Sequence, residues 1–209
     1  MTRGNKYTPF ASLPDKRIVD NSITFKAASK SFGLAAMKCA WFFTDNQDYL
    51  ARTKAHNRAD LTTLGLIASR AAYAGGEDWL NQCVDYIDGT LDYVEKYVAA
   101  NIPLVKVVKP QGTYLAWLDV SKAMEKIGIK EMTDEANRKK PASEAAITPE
   151  TMFEKWMVKH AKVQLNAGHT YGFGGQGHMR MNIATSRKLV ELALNNMASA
   201  LNSPQTSML

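Results

Sequence analysis

The sequence lacks the features that mark several large classes of protein. No uninterrupted apolar run approaches the roughly 20 residues that a helix needs to span a bilayer, and residues 1–7 lack the apolar core of a signal peptide. The two cysteines, Cys39 and Cys83, have neither the number for a disulfide framework nor the spacing of metal ligands. These absences favour a cytoplasmic protein with no membrane partner and no metal site.

A clustered basic surface is also missing, although the net charge is positive. The chain has 26 Lys and Arg against 20 Asp and Glu, which gives a formal charge of +6, but its only tight basic run is Arg138-Lys139-Lys140. Because a nucleic-acid site needs a clustered basic face, we expect no nucleic-acid partner. We interpret the charge as solvation, with some attraction for an anionic small ligand.

What is present predicts an α/β protein that can bury a core, either as one large domain or as two small ones. Strands are predicted at 22–29, 39–44, 104–108, 113–119, 163–165 and 179–184. Helices are predicted at 61–74, 77–101 and 186–202, with another beginning at Pro149 after the N-cap Thr148. A further helix is predicted to run to about Arg58, with Asp45 or Asn46 as its N-cap. The short link between the first two strands leaves no room for a crossover helix, which favours antiparallel pairing.

Residues 121–148 are charged and weakly periodic. Few apolar side chains repeat there at helical spacing, so we predict a surface excursion that is partly mobile. In contrast, residues 77–101 carry a continuous apolar stripe at alternating steps of four and three, which is typical of a packed helix. That stripe consists of Leu80, Val84, Ile87, Leu91, Val94 and Val98.

Lys30 is a candidate catalytic residue. The run from Ser22 to Ala36 is apolar and β-branched up to Ser29-Lys30, then passes through Gly33 into small residues, so the lysine lies at the end of a strand. Such strand ends line the ligand crevice of α/β proteins. A lysine amine that is desolvated there can act as a nucleophile and base.

Arg180 is a candidate binding residue near the end of the chain. It lies in an alternating strand and shares one face with Asn182, directly after a stretch from Asn166 to Gly177 that contains five glycines. Glycines allow a close approach of the backbone to a ligand. An arginine in such a strand is suited to bind a carboxylate through two parallel hydrogen bonds.

Three segments, in this order, resemble the C-terminal half of the pyridoxal-phosphate enzymes of the class I/II aminotransferase superfamily. The first, Ala27-Ala-Ser-Lys-Ser-Phe-Gly-Leu-Ala35, is similar to the segment around the lysine that binds the cofactor. The second is Pro110-Gln-Gly-Thr-Tyr-Leu-Ala-Trp-Leu-Asp119, and the third joins Asn166-x-Gly168 to Arg180-x-Asn182-x-Ala184. Two further segments, 7–12 and 72–80, are similar to the branch of carbon–sulfur β-lyases related to cystathionine β-lyase.

The resemblance implies that residues 1–85 are the C-terminal portion of a large PLP-binding domain and that 86–209 form a small α+β domain, joined by the helix 77–101. It implies that Lys30 binds pyridoxal 5'-phosphate covalently and takes the α-proton of an amino acid. Ser29 would be a phosphate or hinge contact, and Arg180 would bind the α-carboxylate of the substrate. The intact enzyme would be a homodimer.

The reaction implied is cleavage of a carbon–sulfur bond of a cystathionine or cysteine S-conjugate by α,β-elimination, with transamination as the alternative. In this superfamily the aspartate that pairs with the pyridine nitrogen and the loop that binds the phosphate lie upstream of the matching segment. We therefore expect the N-terminal half of the usual fold to be absent. A truncated, inactive relative that associates with another chain remains an alternative, and it predicts an exposed apolar surface.

Overall fold

The computed structural model describes residues 2, 4–56, 60–141 and 143–203, and it shows an α/β fold, as predicted. The chain divides into two compact units, the first ending at Asp85 and the second beginning at Tyr86 and including Thr2. The assignment of these units to a large and a small domain stays a prediction. In the part of the chain that the structure describes, no helix combines the length and apolar character needed to cross a membrane.

The structure has three helices that were not predicted, at 16–19, 121–127 and 129–138, and its strands are shorter than predicted. The helices are α1 (Lys16–Val19), α2 (Gln47–His56), α3 (Thr63–Gly75), α4 (Glu77–Asn101), α5 (Ser121–Ile127), α6 (Ile129–Arg138), α7 (Pro149–Ala161) and α8 (Arg187–Asn202). The strands are β1 (Thr24–Ala27), β2 (Ala40–Phe43), β3 (Lys106–Val108), β4 (Leu115–Asp119), β5 (Asn166–Ala167) and β6 (His178–Asn182). Short 3₁₀ helices cover Phe10–Ser12, Ala35–Met37 and Gly168–Tyr171.

The first unit contains a two-stranded sheet. Strands β1 and β2 pair antiparallel with Thr24 opposite Phe43, as the short link predicts. Each strand is shorter than its apolar run because the ladder covers only four residue pairs. Asn46 caps α2 by accepting the Tyr49 N–H at 3.0 Å, and the predicted end of that helix at Arg58 lies outside the described residues.

The second unit is built on a four-stranded antiparallel sheet in the order β3-β4-β6-β5. One face buries Ala116 and Leu118 of β4 together with Met179 and Met181 of β6. Helices α4, α7 and α8 complete this core through fully buried side chains. The largest of these are Leu91, Phe153, Met157, Leu194, Met197 and Leu201. The side chains on the other face are half-buried or exposed, and Arg180 is one of them.

The predicted surface excursion at 121–148 is wrong for its first eighteen residues. Helices α5 and α6 occupy 121–138, separated by Gly128 at φ +77°. Two pairs of side chains four residues apart, Ala123 with Ile127 and Ile129 with Thr133, are buried. The segment is charged overall because its outward face is charged, and that charge masks a narrow apolar face.

The predicted strand at 163–165 is also wrong. Lys162 ends α7 in the left-handed conformation at φ 56°, and the chain then runs without a strand until β5 begins at Asn166. Val163 and Leu165 are nevertheless buried in the core. Their alternation with polar residues reflects burial of side chains, whereas backbone pairing with β6 begins only at Asn166, opposite Arg180.

Candidate functional site

Lys30 lies in the turn that follows β1. The turn is closed by a hydrogen bond from the Phe32 N–H to the Ala28 carbonyl at 3.0 Å. The side chain of Lys30 is exposed, that of Ser29 is half-buried and Ala28 is buried. Among the described residues, none forms a hydrogen bond or ion pair with the Lys30 amine. The turn therefore presents a primary amine that is available to react with a carbonyl compound.

Aromatic packing holds this turn in place. The ring of Phe32 stacks on Trp79 with centroids 6.1 Å apart and meets Tyr73 edge-on at 5.6 Å. A Cβ atom at Gly76 would lie 2.7 Å from the Phe32 ring, so this packing requires glycine there. Gly33, the residue after Phe32, has a φ of +67°, which favours glycine. The sequence predicts only that residues 75 and 76 separate two helices, and it does not reveal the contact of Gly76 with the turn.

Arg180 lies in the middle of β6, between two neighbouring strands. Its partner on β4 is Trp117 and its partner on β5 is Asn166. One Nη of the guanidinium donates a hydrogen bond to the Asn166 Oδ1 at 3.1 Å. The guanidinium carbon also lies 4.5 Å from the centroid of the Tyr171 ring, which gives a cation–π contact. The predicted face shared with Asn182 is confirmed by the alternating burial of β6.

The Nε of Arg180 is buried and has no hydrogen-bond partner among the described residues. A buried donor without a partner costs about 1–3 kcal/mol. A carboxylate accepts hydrogen bonds from two guanidinium nitrogens at once and is the ligand that best satisfies such a group. The Nε is thus a hydrogen-bond donor that no described group of the protein satisfies.

Aromatic rings border this position. Trp117 meets Tyr171 edge-on at 5.8 Å and stacks on the His178 ring at 5.7 Å with an interplanar angle of 18°. Tyr171 in turn covers the Arg180 guanidinium. Ring contacts of this kind fix the orientation of the side chains that form them.

The glycine-rich loop, residues 168–177, is closed on itself. Gly168 and Gly175 touch through their backbones, since a Cβ at Gly175 would lie 2.1 Å from the Gly168 carbonyl oxygen. Gly172, Gly174 and Gly177 have positive φ values of 104°, 85° and 71°, which favour glycine. The loop therefore needs its glycines to bring Tyr171 back onto Arg180.

The structure places the predicted residues in two separate units. Lys30 and Ser29 belong to the first unit, and Arg180 belongs to the second. The sequence pattern does not single out Asn166 and Tyr171 as partners of Arg180. The Asn166-x-Gly168 motif was the available signal, but its meaning depends on the pairing of β5 with β6. Within the described ranges, no group of three His, Cys, Asp or Glu side chains is placed to hold a metal ion.

Comparison with known proteins gives a consistent family. The model of the family described as "Aminotransferase class I and II" matches residues 8–197. A cystathionine beta-lyase from Corynebacterium glutamicum is 31% identical over 86% of this chain and 42% of its own length. The cystathionine beta-lyase PatB from Bacillus subtilis is 29% identical over 97% of this chain and 47% of its own length.

A solved structure extends the likeness to the fold. The crystal structure of cystalysin from Treponema denticola, which contains a pyridoxal 5'-phosphate cofactor, matches with a TM-score of 0.77 and 28% identity. The match covers 96% of this chain and 46% of that one. The chain spans about half of the length of the curated relatives that it matches.

Proposed function

The chain belongs to the aminotransferase class I and II family, and from that premise we propose that it is part of a pyridoxal-phosphate-dependent lyase. Its substrate would be an amino acid of the cystathionine or cysteine S-conjugate type, from which it would release a thiol by α,β-elimination. The intact enzyme would act as a homodimer. The relatives named cystathionine beta-lyase, at 29–31% identity, support this reaction over others of the family.

One observation supports an α-amino acid as the substrate, namely the buried Nε of Arg180, which lacks a partner among the described residues. A substrate carboxylate would accept hydrogen bonds from this Nε and from an adjacent Nη. Asn166 would hold the guanidinium from one side, and the Tyr171 ring would cover it. Because all α-amino acids carry the same carboxylate, Arg180 would bind and orient the substrate without selecting its side chain.

Lys30 fits the cofactor by its chemistry. Its amine is exposed, has no partner among the described residues, and sits in a turn that Phe32 anchors. A primary amine in that position would bind the aldehyde of the cofactor, and Ser29 beside it would contact the phosphate or serve as a hinge. When bound, pyridoxal phosphate supplies a conjugated ring that takes up electrons as a bond to the substrate Cα breaks. The Lys30 amine would accept the proton that leaves Cα.

Covalent trapping tests the role of Lys30. The chain is incubated with pyridoxal phosphate, reduced with borohydride and digested, and the modified peptide is identified by mass spectrometry. We expect the adduct on Lys30, because its amine is unpaired in an anchored turn. The variant Lys30→Ala should lose the adduct and the visible absorption of the bound cofactor.

Lys30→Arg is the matched control, since it keeps the positive charge but has no primary amine. It should behave as Lys30→Ala does. An adduct that forms on other lysines to the same extent, and that survives both substitutions, would contradict the assignment. In that case a truncated, inactive member of the family is the better description of the chain.

Transamination is the second candidate, favoured by the family description itself. The products separate the two reactions. A lyase acting on cystathionine releases a thiol, pyruvate and ammonia, whereas an aminotransferase converts an added oxo acid to its amino acid and leaves the carbon–sulfur bond intact. Consumption of the oxo acid without any release of thiol would exclude the lyase.

A further inference from the structure

We infer that Glu150 is a positioning residue for Arg180, acting through the glycine-rich loop. Glu150 lies in the first turn of α7, and only 5% of its surface is exposed. A buried carboxylate is costly unless it is hydrogen-bonded and paired. This inference rests on the proposed function only in taking a carboxylate as the ligand of Arg180. The contacts of Glu150 do not depend on that function.

The Glu150 carboxylate connects the two ends of the loop. One oxygen, Oε1, accepts the backbone N–H of Gly177 at 2.8 Å. The other, Oε2, lies 3.4 Å from Nδ1 of His169, at the opposite end of the loop. The N-cap oxygen of α7, Thr148 Oγ1, also lies 3.3 Å from the same ring nitrogen. A single side chain therefore joins residue 169 to residue 177 across eight positions of chain.

The loop so closed carries the groups that surround Arg180. Tyr171 follows His169 by two residues and covers the Arg180 guanidinium. Gly177 directly precedes β6, and its carbonyl accepts the Val120 N–H at 2.9 Å, which ties it to the end of β4. Because Arg180 comes three residues after Gly177, a shift at Gly177 would move β6 and Tyr171 relative to each other.

The position of Glu150 at the helix start has a simpler explanation, namely stabilisation of α7 by a negative charge at the positive end of its dipole. An exposed glutamate would serve that purpose equally well. Glu150 is instead buried, and both of its oxygens meet the loop. These contacts indicate that Glu150 stabilises the loop and not only the helix.

The test compares Glu150→Ala and Glu150→Gln with the unaltered chain. The control is Glu154→Gln, one turn further along α7, where the carboxylate contacts only the Gln164 side chain among the hydrogen bonds of the described residues. Amide hydrogen exchange reports on Gly177 and the loop, the ¹⁵N–¹H resonance of Arg180 Nε reports on the site, and thermal melting reports on overall stability.

In Glu150→Ala, exchange at Gly177 should rise by roughly tenfold or more, since a hydrogen bond to a charged acceptor is lost. The Arg180 Nε resonance should shift as Tyr171 moves away. In Glu150→Gln, the exchange rate at Gly177 should stay within about threefold of that in the unaltered chain, because the glutamine carbonyl can still accept a hydrogen bond from the Gly177 N–H. Glu154→Gln should change neither signal. The affinity for L-alanine, followed at Arg180 Nε, should fall in Glu150→Ala by a similar factor of roughly ten.

A lowered melting temperature in Glu150→Ala, with unchanged exchange at Gly177 and an unchanged Arg180 resonance, would show a role in helix stability alone and overturn the inference. Equal effects from Glu154→Gln would overturn it as well. If L-alanine does not shift the Arg180 resonance even in the unaltered chain, the proposed function fails, while the exchange at Gly177 still decides the role of Glu150.

Discussion

The amide of Asn166 accepts a hydrogen bond from the Arg180 guanidinium without adding a charge to the site. This leaves the positive charge of Arg180 available for a ligand, whereas a carboxylate at the same position would compete with that ligand. The chain thus uses a neutral partner at the one strand position that lies beside Arg180 on β5. The choice of an amide is consistent with binding of an anion.

Two substitutions of Asn166 should therefore have unequal effects. Asn166→Ala removes one neutral hydrogen bond and should weaken binding of L-alanine by roughly two- to fivefold. Asn166→Asp places a fixed anion within reach of Arg180 and should weaken binding by roughly tenfold or more. Calorimetric titration measures both constants. Tighter binding by Asn166→Asp than by Asn166→Ala would contradict a carboxylate ligand on Arg180.

At the scale of single residues, the sequence predicted Lys30 and Arg180 as candidates but did not reveal Asn166 and Tyr171 as neighbours of Arg180. The position of Arg180 on an alternating strand followed from the two-residue period, which is local information. The contacts of Asn166 and Tyr171 depend on strand register and on a loop that folds back over ten residues. Nothing in the local pattern specifies such contacts.

Helices α5 and α6 show where a prediction from local pattern fails at the scale of elements. Each helix has two buried side chains on its inner face and one partly buried methionine, Met124 or Met132, and most of the remaining positions are polar or charged. A pattern this narrow has the composition of a solvated loop. The core that receives the four side chains comes from distant parts of the chain, so its presence could not be inferred from residues 121–138.

Ile129 offers a direct test of this helical pair. Its side chain is fully buried at the first position of α6, so Ile129→Ala should lower the free energy of unfolding by about 2–5 kcal/mol. The control is Lys130→Ala at the next residue, whose side chain is 81% exposed. It should change the free energy of unfolding by less than about 0.5 kcal/mol. Urea denaturation measures both. A loss below about 1 kcal/mol for Ile129→Ala would favour the mobile excursion over the packed helix.

At the scale of the molecule, the two units differ in how much apolar surface they bury. The continuous core belongs to the second unit, with members from Leu91 to Leu201. Among the described residues of the first unit, the buried apolar side chains are Val19, Ala28 and Cys39. Many of its large apolar side chains are exposed instead. These include Phe25, Trp41, Phe43, Leu64, Leu66 and Ile67.

The exposed side chains agree with what the hypothesis of a truncated relative expects. Ordering a residue costs about 1–2 kcal/mol of backbone entropy, which burial of apolar area must offset. The first unit has few buried apolar side chains to offset this entropy cost. Its apolar exposure reaches 72% at Leu64 and 66% at Phe25, and such surfaces bind hydrophobic dyes and other chains.

The first unit should therefore open more readily than the second. In native-state hydrogen exchange, we expect the amides of β2 to be protected roughly a hundredfold less than those of β6, because local stability follows buried apolar contact. The chain should also bind an anilinonaphthalene dye without denaturant. The second unit is the internal control, since both units experience the same conditions. Equal protection of β2 and β6, together with no dye binding, would show that the first unit is stabilised by something other than apolar burial, and Lys30 would then be held in its turn as firmly as Arg180 is held in its sheet.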